Sequence, residues 1–340
     1  MNTLKLVDIK DSINLLGRSV FSGDKLIMDM TVSGFEFKAD FEGDISVAYG
    51  EDNGDRKLGL VLDNYYYNMC TVDISDASGI ATFNINAKKG EHIVRIVKLS
   101  EYPFGSCTLS ELHINGTLLD KPEMPKLKFD FYGDSITCGY GNLSPDREPP
   151  KNLAFEENGY MTYSALISRY FGADMCVASA SGYGYLTACD GTDRLHKEYY
   201  NKYSVKNNIE YDFERKPDVI FINFGTNDRE FSKNSGTKRS YDDFYPVIKD
   251  YIGFLRSKAP NAHIIFVSGV MGELAIDGLL DIDAVYKDIA NETDNCYYIS
   301  GLQCAQLGGN WHPNVDDHME VAVRLIEKLE ATLPEVFKRK

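Results

Sequence analysis

The order of strand-like and helix-like segments after residue 126 constrains the fold of this chain more than any other feature. Five apolar segments have the length of buried strands, at residues 127–132, 174–178, 218–224, 262–268 and 296–299. Helical patterns lie between and after them, at residues 160–171, 241–257, 281–290 and 316–333. Strands that alternate with helices form a parallel sheet with helices packed on its faces. The pattern therefore predicts an α/β domain with a five-stranded, doubly wound parallel sheet over residues 127–340.

The first 120 residues have a different pattern. Residues 34–41 read GFEFKADF, in which apolar and charged side chains alternate as they do in a half-buried strand. Asn53-Gly54 and Asn115-Gly116 are pairs typical of tight hairpin turns. These features predict an N-terminal antiparallel β-sandwich of jelly-roll type at residues 1–120. The segment KPEMPK, residues 121–126, is predicted to be the linker between the two domains.

The charge balance argues against two classes of partner, nucleic acid and anionic lipid. The 340 residues include 36 Lys and Arg against 51 Asp and Glu, a formal charge of −15. Nucleic acid and anionic lipid both require a cationic surface, so we expect neither as a partner. No apolar run has the length of a signal peptide or of a membrane-spanning helix, and the seven cysteines include no CxxC pair. We therefore expect a cytoplasmic protein with reduced thiols.

Polar blocks follow four of the five predicted strands. The carboxyl ends of parallel strands lie at one edge of a sheet, which is where open α/β sheets bind ligands. The blocks supply a hydroxyl, a glycine-lined backbone, a carboxamide and an imidazole. They lie at residues 133–137 (GDSIT), 179–184 (SASGYG), 225–228 (GTND) and 308–313 (GGNWHP).

This set of groups has the chemistry that acyl transfer requires. A serine hydroxyl becomes a nucleophile when an adjacent base takes its proton, and imidazole suits neutral pH. Backbone N–H groups and an Asn side-chain amide can stabilise the oxyanion. Of the six histidines, only His312 lies in a loop after a predicted strand, at the same sheet edge as Ser135. No group of His, Cys and Asp has metal-ligand spacing, so we expect neither a metal nor an organic cofactor.

The four blocks resemble those of the SGNH/GDSL hydrolases and occur in the same order. The resemblance implies a flavodoxin-like catalytic domain in which Ser135 is the nucleophile and His312 is the base. It also implies that Gly182 and Asn227 contribute to the oxyanion hole. Gly184 competes for the role of Gly182, because it lies in the same glycine-containing block.

A narrower resemblance covers the whole chain. LLGR at residues 15–18, GFEFKADFEGD at residues 34–44 and the Trp-His-Pro block are similar to carbohydrate esterase family 2, which joins a small β-sandwich to an SGNH domain. The resemblance implies removal of acetyl groups from sugar hydroxyls. The acidic residue that this family has two positions before the His is Asn310 here, so we expect a Ser-His dyad. Either Asn310 or a main-chain carbonyl would then orient the ring of His312.

Four residues in or next to the blocks have predicted supporting or substrate-binding roles. Asp134 is expected to brace the turn before Ser135 by a hydrogen bond, as Asp commonly does in turns. Trp311, the one tryptophan of the chain, is expected to stack on a sugar ring or to form a wall of the acyl pocket. Tyr183 and Tyr185 are expected to line the same cleft.

The sequence therefore predicts a serine esterase that deacetylates carbohydrates through an acyl-enzyme, with an acetylated small molecule or oligosaccharide as its partner. One alternative is an SGNH esterase acting on lipid or other small esters, which would need an extended apolar groove. The other alternative is a non-catalytic carbohydrate-binding protein.

Overall fold

The structure is a computed structural model that describes residues 2–50, 52 and 54–338. The chain forms two compact units. The N-terminal unit comprises Met1–Met124, Asn152–Gly159 and Lys202–Tyr211. The α/β unit comprises Pro125–Lys151, Tyr160–Asn201 and Asp212–Lys340. The boundaries at 120 and 127 inferred from the sequence stay a prediction.

A ten-stranded antiparallel sheet forms most of the N-terminal unit, in the order β3-β4-β9-β5-β8-β6-β7, with β1 on β9 and with β2 and β10 on β5. The strands are β1 (Asn2–Lys5), β2 (Ile13–Leu16), β3 (Ser19–Ser22), β4 (Lys25–Met28), β5 (Gly34–Gly50), β6 (Arg56–Leu62), β7 (Cys70–Ile74), β8 (Gly79–Lys98), β9 (Cys107–Ile114) and β10 (Gly116–Leu118). The short pair β13 (Lys202–Ser204) and β14 (Ile209–Glu210) belongs to the same unit. The predicted antiparallel architecture is confirmed, whereas the jelly-roll type stays a prediction.

Strand β5 shows why period-two alternation identified this sheet. Phe35, Phe37 and Phe41 are all at most 2% exposed and belong to one apolar core. The alternation was wrong for Glu36, which is also buried and forms an ion pair with Arg95 on the neighbouring strand β8. A buried carboxylate is tolerated here because it is paired.

The two predicted Asn-Gly hairpins do not form as expected. Asn53 lies outside the described residues, and the strands before and after it, β5 and β6, pair with other strands. At Asn115-Gly116 the chain continues along β5, because His113 pairs with Ser46 and Gly116 pairs with Phe41. The dipeptide therefore lies at an irregularity in one continuous antiparallel run, where the long partner strand overrides the local turn preference.

The α/β unit contains a five-stranded parallel sheet in the order β12-β11-β15-β16-β19, which is the flavodoxin-like order 2-1-3-4-5. Its strands are β11 (Lys128–Gly133), β12 (Asp174–Ser179), β15 (Val219–Asn223), β16 (His263–Val267) and β19 (Cys296–Ile299), and a small hairpin is formed by β17 (Ala275–Ile276) and β18 (Leu280–Asp281). Its helices are α1 (Ser135–Cys138), α2 (Tyr163–Phe171), α3 (Thr226–Ser235), α4 (Tyr241–Lys258), α5 (Ile282–Glu292) and α6 (Val315–Thr332). All five predicted strands and all four predicted helices are confirmed, with ends shifted by no more than a few residues.

Helices α1 and α3 have no apolar periodicity, so pattern analysis did not predict them. Helix α1 has only four residues, and α3 reads TNDREFSKNS with a single large apolar side chain. Both helices begin inside the polar blocks at strand ends. They are therefore formed by the loop geometry of the sheet edge and not by a hydrophobic stripe of their own.

One strand of the parallel sheet carries a charge in a position that is normally apolar. Asp130 in β11 is only 2% exposed, and its carboxylate forms an ion pair with Arg215. The same guanidinium lies 2.8 Å from the carboxylate of Asp174 on β12. The polar alternation of this strand therefore serves a buried ion-pair network.

Among the described residues, no helix combines the length and the apolar character that crossing a membrane would require. All seven cysteines are thiols.

Candidate active site

The turn that ends strand β11 presents Ser135 at the first position of α1. Asp134 is the N-cap of this helix, and its carboxylate accepts a hydrogen bond from the backbone N–H of Ile136 at 3.1 Å. This is the hydrogen bond that the predicted bracing role of Asp134 requires. Ser135 itself is 4% exposed, so its hydroxyl is held among neighbouring groups and is little hydrated.

His312 reaches Ser135 from the loop that follows β19. Its Nε2 atom lies 2.8 Å from the Ser135 hydroxyl oxygen, and its Nδ1 atom lies 3.0 Å from the main-chain carbonyl oxygen of Asn310. A carbonyl oxygen can only accept, so in the neutral ring the proton is on Nδ1. The lone pair of Nε2 then faces the Ser135 hydroxyl, which is the tautomer that a general base needs.

The main-chain carbonyl of Asn310, and not its side chain, is therefore the group that contacts the imidazole. Asn310 has a φ of 53° and Trp311 a φ of 60°, so two successive residues adopt left-handed conformations that non-glycine residues rarely adopt. Asn is the residue that tolerates this region best after Gly. The backbone conformation turns the carbonyl toward the ring, and the Asn310 side chain is left exposed.

The surroundings of His312 favour its neutral form. Desolvation of the ring lowers the pKa of His312 to about 4, although hydrogen bonds to the backbone at Asn310 and Gly309 act to raise it. The ring of Tyr140 packs against the imidazole, with centroids 4.6 Å apart. At neutral pH the imidazole is therefore unprotonated and able to accept a proton.

Gly182 and Asn227 are the residues to which the resemblance to SGNH hydrolases assigns the oxyanion hole, and this assignment stays a prediction. Gly182 has a φ of 86°, a conformation that favours glycine, and the guanidinium of Arg194 lies beside it, 3.4 Å from where a Cβ would be. The Asn227 side chain is 6% exposed, and its Nδ2 donates to the Tyr183 carbonyl at 2.8 Å and to the Asp134 carboxylate at 3.3 Å. The amide is therefore positioned by the two loops on either side of it.

Gly184 has a packing role that separates it from Gly182. A Cβ at Gly184 would lie 2.1 Å from the Thr187 carbonyl oxygen and 2.7 Å from an oxygen of Asp228. Glycine is required at this position because backbone and a buried carboxylate approach so closely.

Asp228 is a supporting residue that the sequence analysis missed. Its buried carboxylate accepts hydrogen bonds from the backbone N–H groups of Tyr185, Leu186 and Thr187, at 2.8, 2.8 and 3.1 Å. Burial raises the pKa of Asp228 to about 6, although these donors act to lower it. Asp228 thus holds residues 185–187, which directly follow the glycine block (residues 179–184). Its place beside Asn227 in GTND is the sequence signal that could have identified it.

Asp317 supports the His312 loop in the same way. Its carboxylate accepts from the backbone N–H groups of Ala305 at 3.1 Å and Leu307 at 2.7 Å. It also forms a capping box with Asn314 at the start of α6. An Asn followed three residues later by Asp, just before a helical pattern, is a signal that could have identified it.

The three aromatic residues expected near the site differ in how exposed they are. Trp311 is 55% exposed, and the guanidinium of Arg147 lies 4.3 Å above its ring centroid. Tyr183 is 7% exposed and packs edge-on against Tyr199, with ring centroids 5.2 Å apart. The expectation that Tyr185 lines the cleft was wrong, because Tyr185 is 1% exposed and its hydroxyl bonds to that of a buried tyrosine.

The fold and these loops define a hydrolase-type site, and comparison with known proteins gives the family. The chain belongs to the GDSL-like Lipase/Acylhydrolase family, which it matches over residues 131–319, more than half of its length. This confirms the resemblance inferred from the four blocks.

Two curated relatives are similar over both units. The chain is 28% identical over 308 residues to the cellulase/esterase CelE of Acetivibrio thermocellus, covering 86% of this chain and 36% of that protein. It is 30% identical over 256 residues to an acetylxylan esterase / glucomannan deacetylase of Cellvibrio japonicus, covering 71% of this chain and 69% of that protein. The chain thus spans about a third of the length of the first relative.

Solved structures have the same fold. A family two carbohydrate esterase from Clostridium thermocellum in complex with cellohexaose superposes with a TM-score of 0.85 at 25% identity, covering 95% of this chain and 99% of that chain. An acetyl xylan esterase from Butyrivibrio proteoclasticus superposes with a TM-score of 0.85 at 19% identity, covering 98% of both chains. At 19% identity, the likeness to the Butyrivibrio enzyme shows the fold alone.

Proposed function

We propose that this protein is a serine esterase that removes O-acetyl groups from carbohydrates. The observation that carries the proposal is the 2.8 Å contact between the Ser135 hydroxyl and Nε2 of His312, whose other nitrogen is held by a carbonyl oxygen. A serine paired in this way with a neutral, oriented imidazole is the arrangement that acyl transfer uses.

In the first half-reaction, Nε2 of His312 accepts the Ser135 proton while the hydroxyl oxygen attacks the acetyl carbonyl carbon. The tetrahedral intermediate collapses when the imidazolium gives that proton to the departing sugar oxygen, and an acetyl ester remains on Ser135. In the second half-reaction, His312 takes a proton from water as its oxygen attacks this ester. Returning the proton to Ser135 releases acetate and restores the enzyme.

Three protein groups would stabilise the oxyanion. The Ser135 N–H is at the first position of α1, where N–H groups have no partner within the helix. Gly182 would contribute its backbone N–H, and residues 185–187 of the same loop are held by Asp228. Asn227 supplies a side-chain amide whose contact with Asp134 is long, at 3.3 Å, so this N–H can turn toward the oxyanion when it forms.

The carbohydrate part of the proposal is supported by the relatives and by Trp311. The two curated relatives are named a cellulase/esterase and an acetylxylan esterase / glucomannan deacetylase, and the solved structure at 25% identity is a family two carbohydrate esterase. Trp311 precedes His312 directly, and Arg147 covers one side of its ring while more than half of the residue is exposed. An exposed indole beside the base is suited to stacking on a sugar ring. We also propose a cytoplasmic location, because the seven cysteines form no disulfide with one another and this fits a reducing compartment.

The proposal is tested by replacing the nucleophile. We expect Ser135→Ala to lower kcat/KM for acetylated xylooligosaccharide and for p-nitrophenyl acetate by at least about a thousandfold, with little change in Tm. Ser257→Ala is the matched control, because Ser257 is exposed and its hydroxyl bonds only to its own helix at Phe254 among the contacts described. A Ser135→Ala enzyme within tenfold of the wild type would contradict the acyl-enzyme mechanism.

The choice of ester separates the proposal from its alternatives. We expect acetyl esters to be hydrolysed faster than octanoyl esters, and sugar acetates faster than simple alkyl acetates. Faster octanoate hydrolysis would favour an esterase for lipids. Polysaccharide binding with no acetate release would favour the non-catalytic carbohydrate-binding protein.

A further inference from the structure

The connection between β6 and β7 in the N-terminal unit carries the two most exposed large apolar side chains of the described chain. Tyr65 is 70% and Tyr67 77% exposed, and the next most exposed, Ile80, is 59% exposed. Both tyrosines lie in the sequence NYYYN, which we call the tyrosine loop (residues 64–68). A pair of large aromatic side chains this accessible often marks a binding surface.

The tyrosine loop is built on a fixed turn. Asp63 and Asn64 have φ values of 50° and 62°, and the N–H of Tyr65 closes the turn on the Leu62 carbonyl at 3.0 Å. Two successive left-handed residues are costly unless their surroundings hold them. The loop is therefore maintained by specific interactions and is not a relaxed surface segment.

Those interactions come from strand β8 next to the loop. The Asp63 carboxylate accepts hydrogen bonds from the His92 ring at 2.7 Å and from the Ile93 N–H at 2.9 Å. The Asp63 N–H donates to the Ile93 carbonyl at 2.8 Å. Beyond the turn, the ring of Tyr66 lies under the guanidinium of Arg95, 5.9 Å from its centroid. The two outer tyrosines are thus presented from a rigid base, so binding a ligand through them costs little backbone entropy.

The charge distribution points to a neutral ligand. No charged residue occurs between Asp63 and Asp73, in a chain of which 26% of residues are charged. The charges beneath the loop are compensated, since Asp63 is bonded to His92 and Arg95 is paired with Glu36. The exposed surface therefore consists of phenol rings flanked by the carboxamides of Asn64 and Asn68.

We propose that the tyrosine loop is a second carbohydrate-binding site, which holds a neutral polysaccharide chain by stacking sugar rings on Tyr65 and Tyr67. The apolar faces of pyranose rings pack on aromatic rings, while carboxamides and phenol hydroxyls bond to sugar hydroxyls. Tyrosine provides a large and rigid contact area that is also able to form hydrogen bonds. The choice of a polysaccharide rests on the proposed function, because a chain carrying many acetyl groups would be retained at one site while it is deacetylated at another.

The site is tested by native gel electrophoresis through gels that contain deacetylated glucomannan, xylan or polygalacturonate. We expect the full-length protein to be retarded by at least one of the two neutral polymers and not by polygalacturonate. The double variant Tyr65→Ala/Tyr67→Ala should lose the retardation, with binding at least about tenfold weaker. The variant Tyr65→Phe/Tyr67→Phe keeps the rings and should retain most of it. Tyr170→Ala, on an exposed tyrosine of the α/β unit, is the matched control.

Activity and assembly are measured on the same proteins. The double alanine variant should hydrolyse p-nitrophenyl acetate at the wild-type rate, and Ser135→Ala should be retarded like the wild type. Failure of the esterase proposal would appear as absent acetate release, whereas failure of this site would appear as equal migration of the wild type and the double alanine variant. A wild-type dimer that this variant converts to monomer, with no retardation by any polymer, would show that the loop joins two copies of the chain and would overturn the proposal.

Discussion

The imidazole Nε2 of His312 lies 2.8 Å from the hydroxyl oxygen of Ser135, a residue 177 positions earlier in the chain. The other ring nitrogen, Nδ1, lies 3.0 Å from the main-chain carbonyl oxygen of Asn310, and this contact orients the ring. A carbonyl oxygen selects the same tautomer as the carboxylate of a Ser-His-Asp triad, but it carries no full charge to stabilise the imidazolium. The consequences of this arrangement can be measured.

Backbone conformation at position 310 should matter more than side-chain chemistry. Asn310→Gly keeps both the carbonyl and the left-handed conformation, so we expect kcat/KM within about threefold of the wild type. Asn310→Val should lower kcat/KM by at least about tenfold, because a β-branched residue resists a positive φ and would turn the carbonyl away. Rates on p-nitrophenyl acetate provide the comparison, and equal loss in both variants would show that the side chain itself is needed.

Asn310→Asp tests the same relationship through pH. Because the exposed side chain is not the group that contacts the ring, we expect the acidic limb of kcat/KM to move by less than about half a unit. A side-chain carboxylate in contact with the ring would instead raise the limb by about half a unit to one unit, because hydrogen bonds to charged groups are stronger than those to neutral ones. A shift of that size would show that residue 310 reaches the ring through its side chain.

The activity should persist well into the acidic range. Desolvation lowers the pKa of His312 to about 4, so the neutral form that accepts the Ser135 proton predominates above that pH. We expect kcat/KM to lose half its plateau value near pH 4, provided that circular dichroism shows a folded protein there. An acidic limb near the ordinary histidine pKa of 6.5 would contradict the desolvated environment.

Buried histidines should make the fold itself sensitive to acid. Burial lowers the pKa of His196 to about 4 and that of His318 to about 3, from 6.5. Between these values and 6.5 the unfolded chain binds more protons than the folded one, so stability is complete above about pH 6.5 and falls as the pH is lowered. His318→Asn keeps an acceptor for the Tyr163 N–H and does not titrate. Its free energy of unfolding from urea titrations should fall less between pH 7 and 5 than that of the wild type. An identical fall would contradict the role of His318.

Asp228 should be needed to hold the loop that carries Gly182 in its conformation. Asp228→Asn replaces one acceptor oxygen by an amide NH2, a donor that would face backbone N–H donors, so we expect a loss of stability of about 1–3 kcal/mol. The kcat for p-nitrophenyl acetate should fall as well, because the loop carries Gly182. Asp288→Asn is the control, since Asp288 is exposed and bonds only to the Tyr241 hydroxyl among the contacts described. Unchanged stability and activity in Asp228→Asn would show that the loop holds its conformation without this carboxylate.

Arg147 should act through Trp311. Its guanidinium lies over the indole and donates to the carbonyl oxygens of Gln306 at 2.9 Å and Ala305 at 3.0 Å. We expect Arg147→Gln and Trp311→Ala to raise KM for acetylated xylooligosaccharide by several-fold while kcat for p-nitrophenyl acetate changes little. Trp311→Phe should recover part of the sugar-ester activity. A loss that is equal for both substrates would indicate damage to the His312 loop instead of to sugar binding.

The sequence by itself determined the class of fold and the candidate residues, because both depend on local order. The period of two in β5, the alternation of apolar strands with helices, and the polar blocks after four of the five strands are properties of neighbouring residues. Since parallel strands end at one sheet edge, the order of the blocks was sufficient to predict that Ser135 and His312 meet.

The tertiary structure alone decided the contacts that join distant segments. The carbonyl of Asn310 faces the imidazole because of two left-handed backbone dihedrals, which composition does not reveal. Tyr185 became a core residue and Trp311 a half-exposed one because of what packs against each of them. The chain runs straight through Asn115-Gly116 because a long partner strand outweighs a local turn preference. Such outcomes depend on which segments meet in space, and that information is spread over the whole chain.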